Sequence, residues 1–142
     1  MSKINIASVV KGGLLAGLII NISEFILNMP VAGKQMDEAM KALNLTPPGR
    51  GVITFYVVQA FLLGILLVWL YAAMRPRFGP GPRTALIAGA FLWITAYLFP
   101  TIGLNLMGIF PTGIVVLSLA WTIPEVLIAS LAGAWLYKEP TL

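Results

Sequence analysis

Two glutamates stand inside long apolar runs, Glu24 in the first and Glu125 in the last. Glu24 lies thirteen positions beyond Lys11, and Glu125 lies thirteen positions before Lys138. At about 1.5 Å per helical residue, each carboxylate lies about 20 Å along its helix from a basic residue. Gln59 lies sixteen residues before Arg75, at nearly that level. The spacing predicts one polar layer of Glu24, Glu125, Gln59, Asn21 and Thr95.

All nine Lys and Arg fall at the ends of the apolar runs or between them, so none reaches this layer. A carboxylate without a cation in low dielectric has three options: protonated and hydrogen-bonded, ionised around a bound cation, or alternating between the two. The first is interhelical glue. The other two are the chemistry of transport.

Each carboxylate sits on a patterned face. Gly13, Gly17, Asn21, Glu24 and Asn28 recur at intervals of four, four, three and four, a narrow stripe on a helix of about 100° per residue. The last apolar run presents Ser118, Thr122, Glu125, Ala129 and Ala132, with Pro124 just before the acid. Proline lacks an amide hydrogen and clashes with the carbonyl of Ala120, so the helix is predicted to bend there.

Other chemistries lack their residues. With no cysteine and no histidine there is no thiolate nucleophile, no zinc–thiolate site and no imidazole base or ligand. No motif for a metal, a cofactor or a phosphate is present. An intramembrane enzyme, or a quinone or lipid binder using the carboxylates as acid and base, therefore ranks last.

The elements that must hold these residues are membrane spans. Of 142 residues, 59% are hydrophobic and 10% charged, less than half the charge of an average soluble domain. Mean hydropathy is +0.94. The net charge of +4 comes from basic residues scattered singly around apolar runs, a membrane pattern and not a nucleic-acid one. Four runs are long enough to cross a bilayer: Ile4–Met29, Val52–Met74, Thr84–Met107 and Ile114–Tyr137. The first continues past Glu24 and lacks a small-residue cleavage site, which favours a mature helix over a signal peptide.

Lys3, Lys11, Arg75, Arg77, Arg83 and Lys138 fall on one side; Lys34, Lys41 and Arg50 fall on the other. The positive-inside rule then puts both termini in the cytoplasm, in what we read as a bacterial inner membrane. The segment 75–83, rich in Arg, Gly and Pro, reads as a stiff inner turn against anionic head groups. Met36, Ala39, Met40 and Leu43 lie at helical spacing in segment 33–45, a short amphipathic helix on the outer surface ended by Pro47, Pro48 and Gly49.

The chain also repeats itself. Leu14, Ala16 and Gly17 match Leu86, Ala88 and Gly89 at an offset of 72, and Trp69-Leu70-Tyr71 matches Trp135-Leu136-Tyr137 at an offset of 66. The fold class is thus an all-α integral membrane protein, one domain over 1–142. Its four helices form two parallel helical-hairpin repeats, about 4–75 and 83–138, plus the outer helix. In the second copy the stripe reads Ala85, Gly89, Trp93, Ala96 and Pro100, a face that has lost its polarity. Small residues four apart mark packing seams: Gly13/Gly17, Ala60/Gly64, Ala85/Gly89 and Ala129/Gly133.

Two functions remain. One is a module that moves a proton, small cation or cationic solute past Glu24, Glu125, Gln59 and the Asn21/Asn28 ladder, as a homo-oligomer. The other is a non-catalytic accessory or assembly subunit of a larger membrane complex. In both the chain is no enzyme, needs no cofactor, and has the bilayer as its environment.

Overall fold

A computed structural model describes residues 4–139. Lys3, counted above for orientation, lies outside the described residues. Among the described residues the chain is helical, with no strand. Helix α1 (Ile6–Ile26) runs into a π turn (Leu27–Val31), followed by the short α2 (Gly33–Ala42). Helix α3 spans Arg50–Phe78, and α4 (Pro82–Trp93) passes through a second π turn (Ile94–Leu98) into α5 (Phe99–Leu106). Helix α6 closes the chain at Thr112–Leu136. Counted through the π turns, four helices are long and apolar enough to cross a membrane.

Local chemistry sets the ends. Asn5 caps α1 by accepting the Ser8 amide at 3.2 Å, and Pro82 starts α4 with a φ already suited to a helix. Helices α2 and α5 both stop in Schellman turns. Leu45 N–H donates to Met40 O and Asn44 N–H to Lys41 O; Ile109 N–H donates to Leu104 O and Gly108 N–H to Asn105 O. The left-handed positions are Asn44 at φ 56° and Gly108 at φ 73°.

Prolines explain the irregular turns. Pro30 lies inside the first π turn, and Pro100 follows the second by two residues. Each removes an amide donor, and the chain widens to bonds five residues apart: Ala32 N–H to Leu27 O, and Phe99 N–H to Ile94 O. The segment 75–83 is less of a loop than its composition suggests. Helix α3 continues through Pro76 to Phe78, because a proline in the last turn forfeits a single hydrogen bond. The reversal is confined to Gly79–Gly81, with φ of 80° and 121° at its two glycines. Helix α6 is unbroken at Pro124, whose ring is exposed.

Packing follows the small residues. Helix α1 lies between α3 and α6, and α4 packs on α6 and α3, so the order around the bundle is α1, α3, α4, α6. A Cβ on Gly17 would stand 2.6 Å from Phe61 Cα, and one on Gly64 would collide with the backbone of Gly13 and Gly17. These residues and Ala60 form the α1–α3 seam. Gly133 faces Gly12 and Ala16 across α1–α6, while Gly89 and Ala85 meet Ser130 of α6, whose hydroxyl donates to Ala85 O. Ala129, fully buried, fills the same interior. Close backbone approach is how helices gain dispersion contacts where lipid offers no hydrophobic drive.

Candidate functional site

The α1–α6 register positions the two acids. Asn5 Nδ2 donates to Lys138 O at 3.0 Å, and Trp121 Nε1 donates to Ser23 Oγ at 2.9 Å. These pairs run α6 antiparallel beside α1 and bring Glu125 next to the Ser23 side chain, one residue before Glu24. Lys11 and Lys138 themselves are not level, since Asn5, six residues earlier than Lys11, is the partner of Lys138.

Glu125 is 4% exposed. Its Oε1 accepts from the Tyr97 hydroxyl at 3.3 Å, and its Oε2 makes no hydrogen bond among the described residues. Glu24 accepts at Oε2 from Asn28 Nδ2 at 2.7 Å, and the same amide donates to Glu24 O at 2.9 Å. Glu24 lies near enough to act by charge on both Tyr97 and Glu125. Thr122, buried one turn from Glu125, accepts from Trp93 Nε1 at 3.0 Å and donates to Ser118 O at 2.9 Å. The ion pair formed among the described residues, Arg75 with Glu139 at 3.3 Å, lies near the opposite end of the bundle and reaches neither acid.

A cavity of about 270 Å³ opens beside Glu24, lined by Glu24, Asn28, Tyr56, Tyr97, Phe110 and Thr122 among others. Met36 of α2 reaches its wall, so the amphipathic helix packs against the site. Tyr97 lines the cavity and donates to Glu125, which ties the fully buried acid to the open space.

Three residues expected in the layer serve elsewhere. Gln59 is exposed on the outer face of α3. The level read from Arg75 carried no information about direction, and Ala60 takes the buried position beside it. Thr95 is exposed and donates to Phe91 O at 2.9 Å in its own helix. Asn21 is half-buried and donates to Gly17 O and Val57 O, at 3.0 and 3.2 Å, which makes it a clasp between α1 and α3. Asn28 is exposed; it is the partner of Glu24 and lines the cavity beside it.

Sequence reading missed Tyr97, Trp93, Trp121 and Ser23. The second copy's stripe is not stripped of polarity, because Trp93 brings its ring N–H to the interior; Tyr97, beside the stripe position Ala96, adds an O–H. Counting ring heteroatoms would have found Trp93 on the stripe and Tyr97 next to it. Among the described residues no third acid, His or Cys joins the two glutamates to hold a metal ion.

The fold and the site define an all-helical integral membrane protein with two carboxylates in its interior. No protein-family model, no curated protein and no solved structure matches the chain.

Proposed function

We propose that this chain is a small transport or conduction module that moves a proton, a small cation or a small cationic solute along Glu24, Tyr97 and Glu125. One observation carries the reading: two intramembrane acids without a Lys or Arg partner among the described residues, one of them held by Tyr97 at the edge of a cavity that the other lines. Glue alone does not require the free oxygen of Glu125 or the space beside Glu24. The aromatic walls of Tyr56, Tyr97 and Phe110 suit a cation, which is attracted to ring faces. The test is flux in liposomes. Glu24→Gln and Glu125→Gln should each abolish pH-dependent cation or proton flux while helical content and monodispersity are retained. Parent-like flux in both variants refutes the reading.

The same proposal takes the chain as two parallel helical hairpins, related by an axis along the membrane normal, with both termini in the cytoplasm of a bacterial cell. The order α1, α3, α4, α6 supports it, since a twofold axis exchanges α1 with α4 and α3 with α6. The two Trp-Leu-Tyr copies support it further. Tyr71 OH accepts from the amide of Gly81, the N-cap of α4, at 3.1 Å; Tyr137 OH accepts from the amide of Asn5, the N-cap of α1, at 3.3 Å. Their rings meet edge to face at 6.0 Å, with Arg75 over both.

The alternative, a non-catalytic accessory subunit, draws on the outer half of α3, where residues 50–59 are exposed on every side. Purification in mild detergent separates the readings. A stoichiometric larger partner favours the accessory role.

A further inference from the structure

Helix α3 carries a group that its own chain leaves without a partner. Gln59 sits nine residues beyond Arg50 and sixteen before Arg75, on a helix of 29 residues, about 43 Å long. A hydrocarbon core of about 30 Å centred on that helix includes it. Other outward polar side chains are satisfied at home: Thr54 donates to Arg50 O at 2.9 Å, Thr95 to Phe91 O and Asn28 to Glu24. The Gln59 carboxamide makes no hydrogen bond to any described residue. A bare amide in hydrocarbon is strongly unfavourable, because no water replaces the missing partner.

The residue is also part of a regular stripe. Val52, Phe55, Gln59, Leu62, Leu66 and Trp69 follow one another at alternating intervals of three and four, and all six are exposed. That period of about 3.5 residues is the period of a two-helix seam, in which one polar residue among apolar ones fixes register. We infer that two copies of the chain pack α3 against α3 along this stripe, with their Gln59 carboxamides hydrogen-bonded to each other.

The chemistry of Gln59 selects the occupant. A carboxamide holds both a donor and an acceptor, so it complements itself. Two copies inserted with the same orientation, related by a twofold axis along the membrane normal, place both Gln59 side chains at one depth and like against like. Lipid head groups lie above that depth. Tyr56, one turn from Gln59, lines the cavity beside Glu24, so the seam also steadies a wall of that cavity. The inference stands whether or not the cavity conducts.

The absence of cysteine makes the test clean. Full-length Leu62→Cys and Leu66→Cys proteins, reconstituted in phosphatidylethanolamine–phosphatidylglycerol liposomes and oxidised with copper–phenanthroline, should give disulfide-linked dimers. Val57→Cys, exposed but about 160° around the helix from Gln59, should give at least fivefold less. Gln59→Leu should weaken dimerisation about three- to thirtyfold, the range for interhelical hydrogen bonds in membranes, and Gln59→Asn should restore part of it. Equal cross-linking at Val57, monomer at every position, or an unchanged dimer in Gln59→Leu each overturns the inference. A Leu62→Cys adduct formed in native membranes with a different protein, in place of the dimer, overturns it in favour of a heterologous partner.

Discussion

Gly17→Ala is the sharpest test of how this bundle is held together. The added methyl group would stand 2.6 Å from Phe61 Cα, 2.8 Å from Phe61 Cδ1 and 3.1 Å from Ala60 O. Carbon atoms settle at about 3.5–4.0 Å, so α1 and α3 must separate by about 1 Å at this level. The obstacle is backbone, which a rotamer change does not relieve. Gly13 and Gly64 lie on the same seam and lose contact as it opens. Overpacking of this kind costs about 1–3 kcal/mol. Alanine's better helix propensity returns at most about 1 kcal/mol, and less here, since membrane helices persist in the dissociated state. The net expectation is a loss of about 1–2 kcal/mol. Gly103→Ala supplies the control, because no atom lies within 4 Å of its added Cβ, and it should be neutral to within about 0.5 kcal/mol. Titration from mild detergent into SDS micelles, followed by tryptophan fluorescence and circular dichroism, measures both. Gly17→Ala as stable as the parent would refute the close seam and the packing order built on it.

Further outcomes follow from the site and the bundle ends. Glu125→Gln keeps an acceptor for Tyr97 and should fold with parental stability while losing pH-dependent flux, whereas Glu125→Leu leaves the Tyr97 hydroxyl without its acceptor and should cost about 1–3 kcal/mol in the same SDS titration. Tyr71→Phe and Tyr137→Phe each remove the acceptor of a helix-capping amide; each should cost about 0.5–1.5 kcal/mol, and similar values for the two would support the twofold reading. For sidedness, cysteines at Gln35 and Gly79 should label from opposite faces with an impermeant maleimide in oriented vesicles. Labelling of Gly79→Cys from outside would overturn the assigned orientation.

Composition and the lengths of the apolar runs were enough to identify four membrane helices, because the bilayer demands about 20 apolar residues per helical span and leaves the backbone no alternative. The outer helix stops earlier than the Pro47, Pro48 and Gly49 expected from sequence: α2 ends at Ala42, because Asn44 takes the left-handed conformation that closes its Schellman turn. Proline composition did not locate the irregular turns: the π turns fall near Pro30 and Pro100, while Pro76 and Pro124 sit inside continuous helices. What each helix faces is a different matter. Residue counting put Gln59, Thr95, Glu24 and Glu125 at similar depths, but depth is a property of one helix and direction is a property of the pair. The α1–α6 register, fixed by Asn5 with Lys138 and Ser23 with Trp121, brought Glu125 beside Ser23 and within reach of the charge of Glu24. Close packing at Ala60 and Gly64 turned Gln59 outward. Only the folded bundle could bring Tyr97 to Glu125, since the two are 28 residues apart on separate helices and their meeting depends on how α4, its π turn and α6 pack.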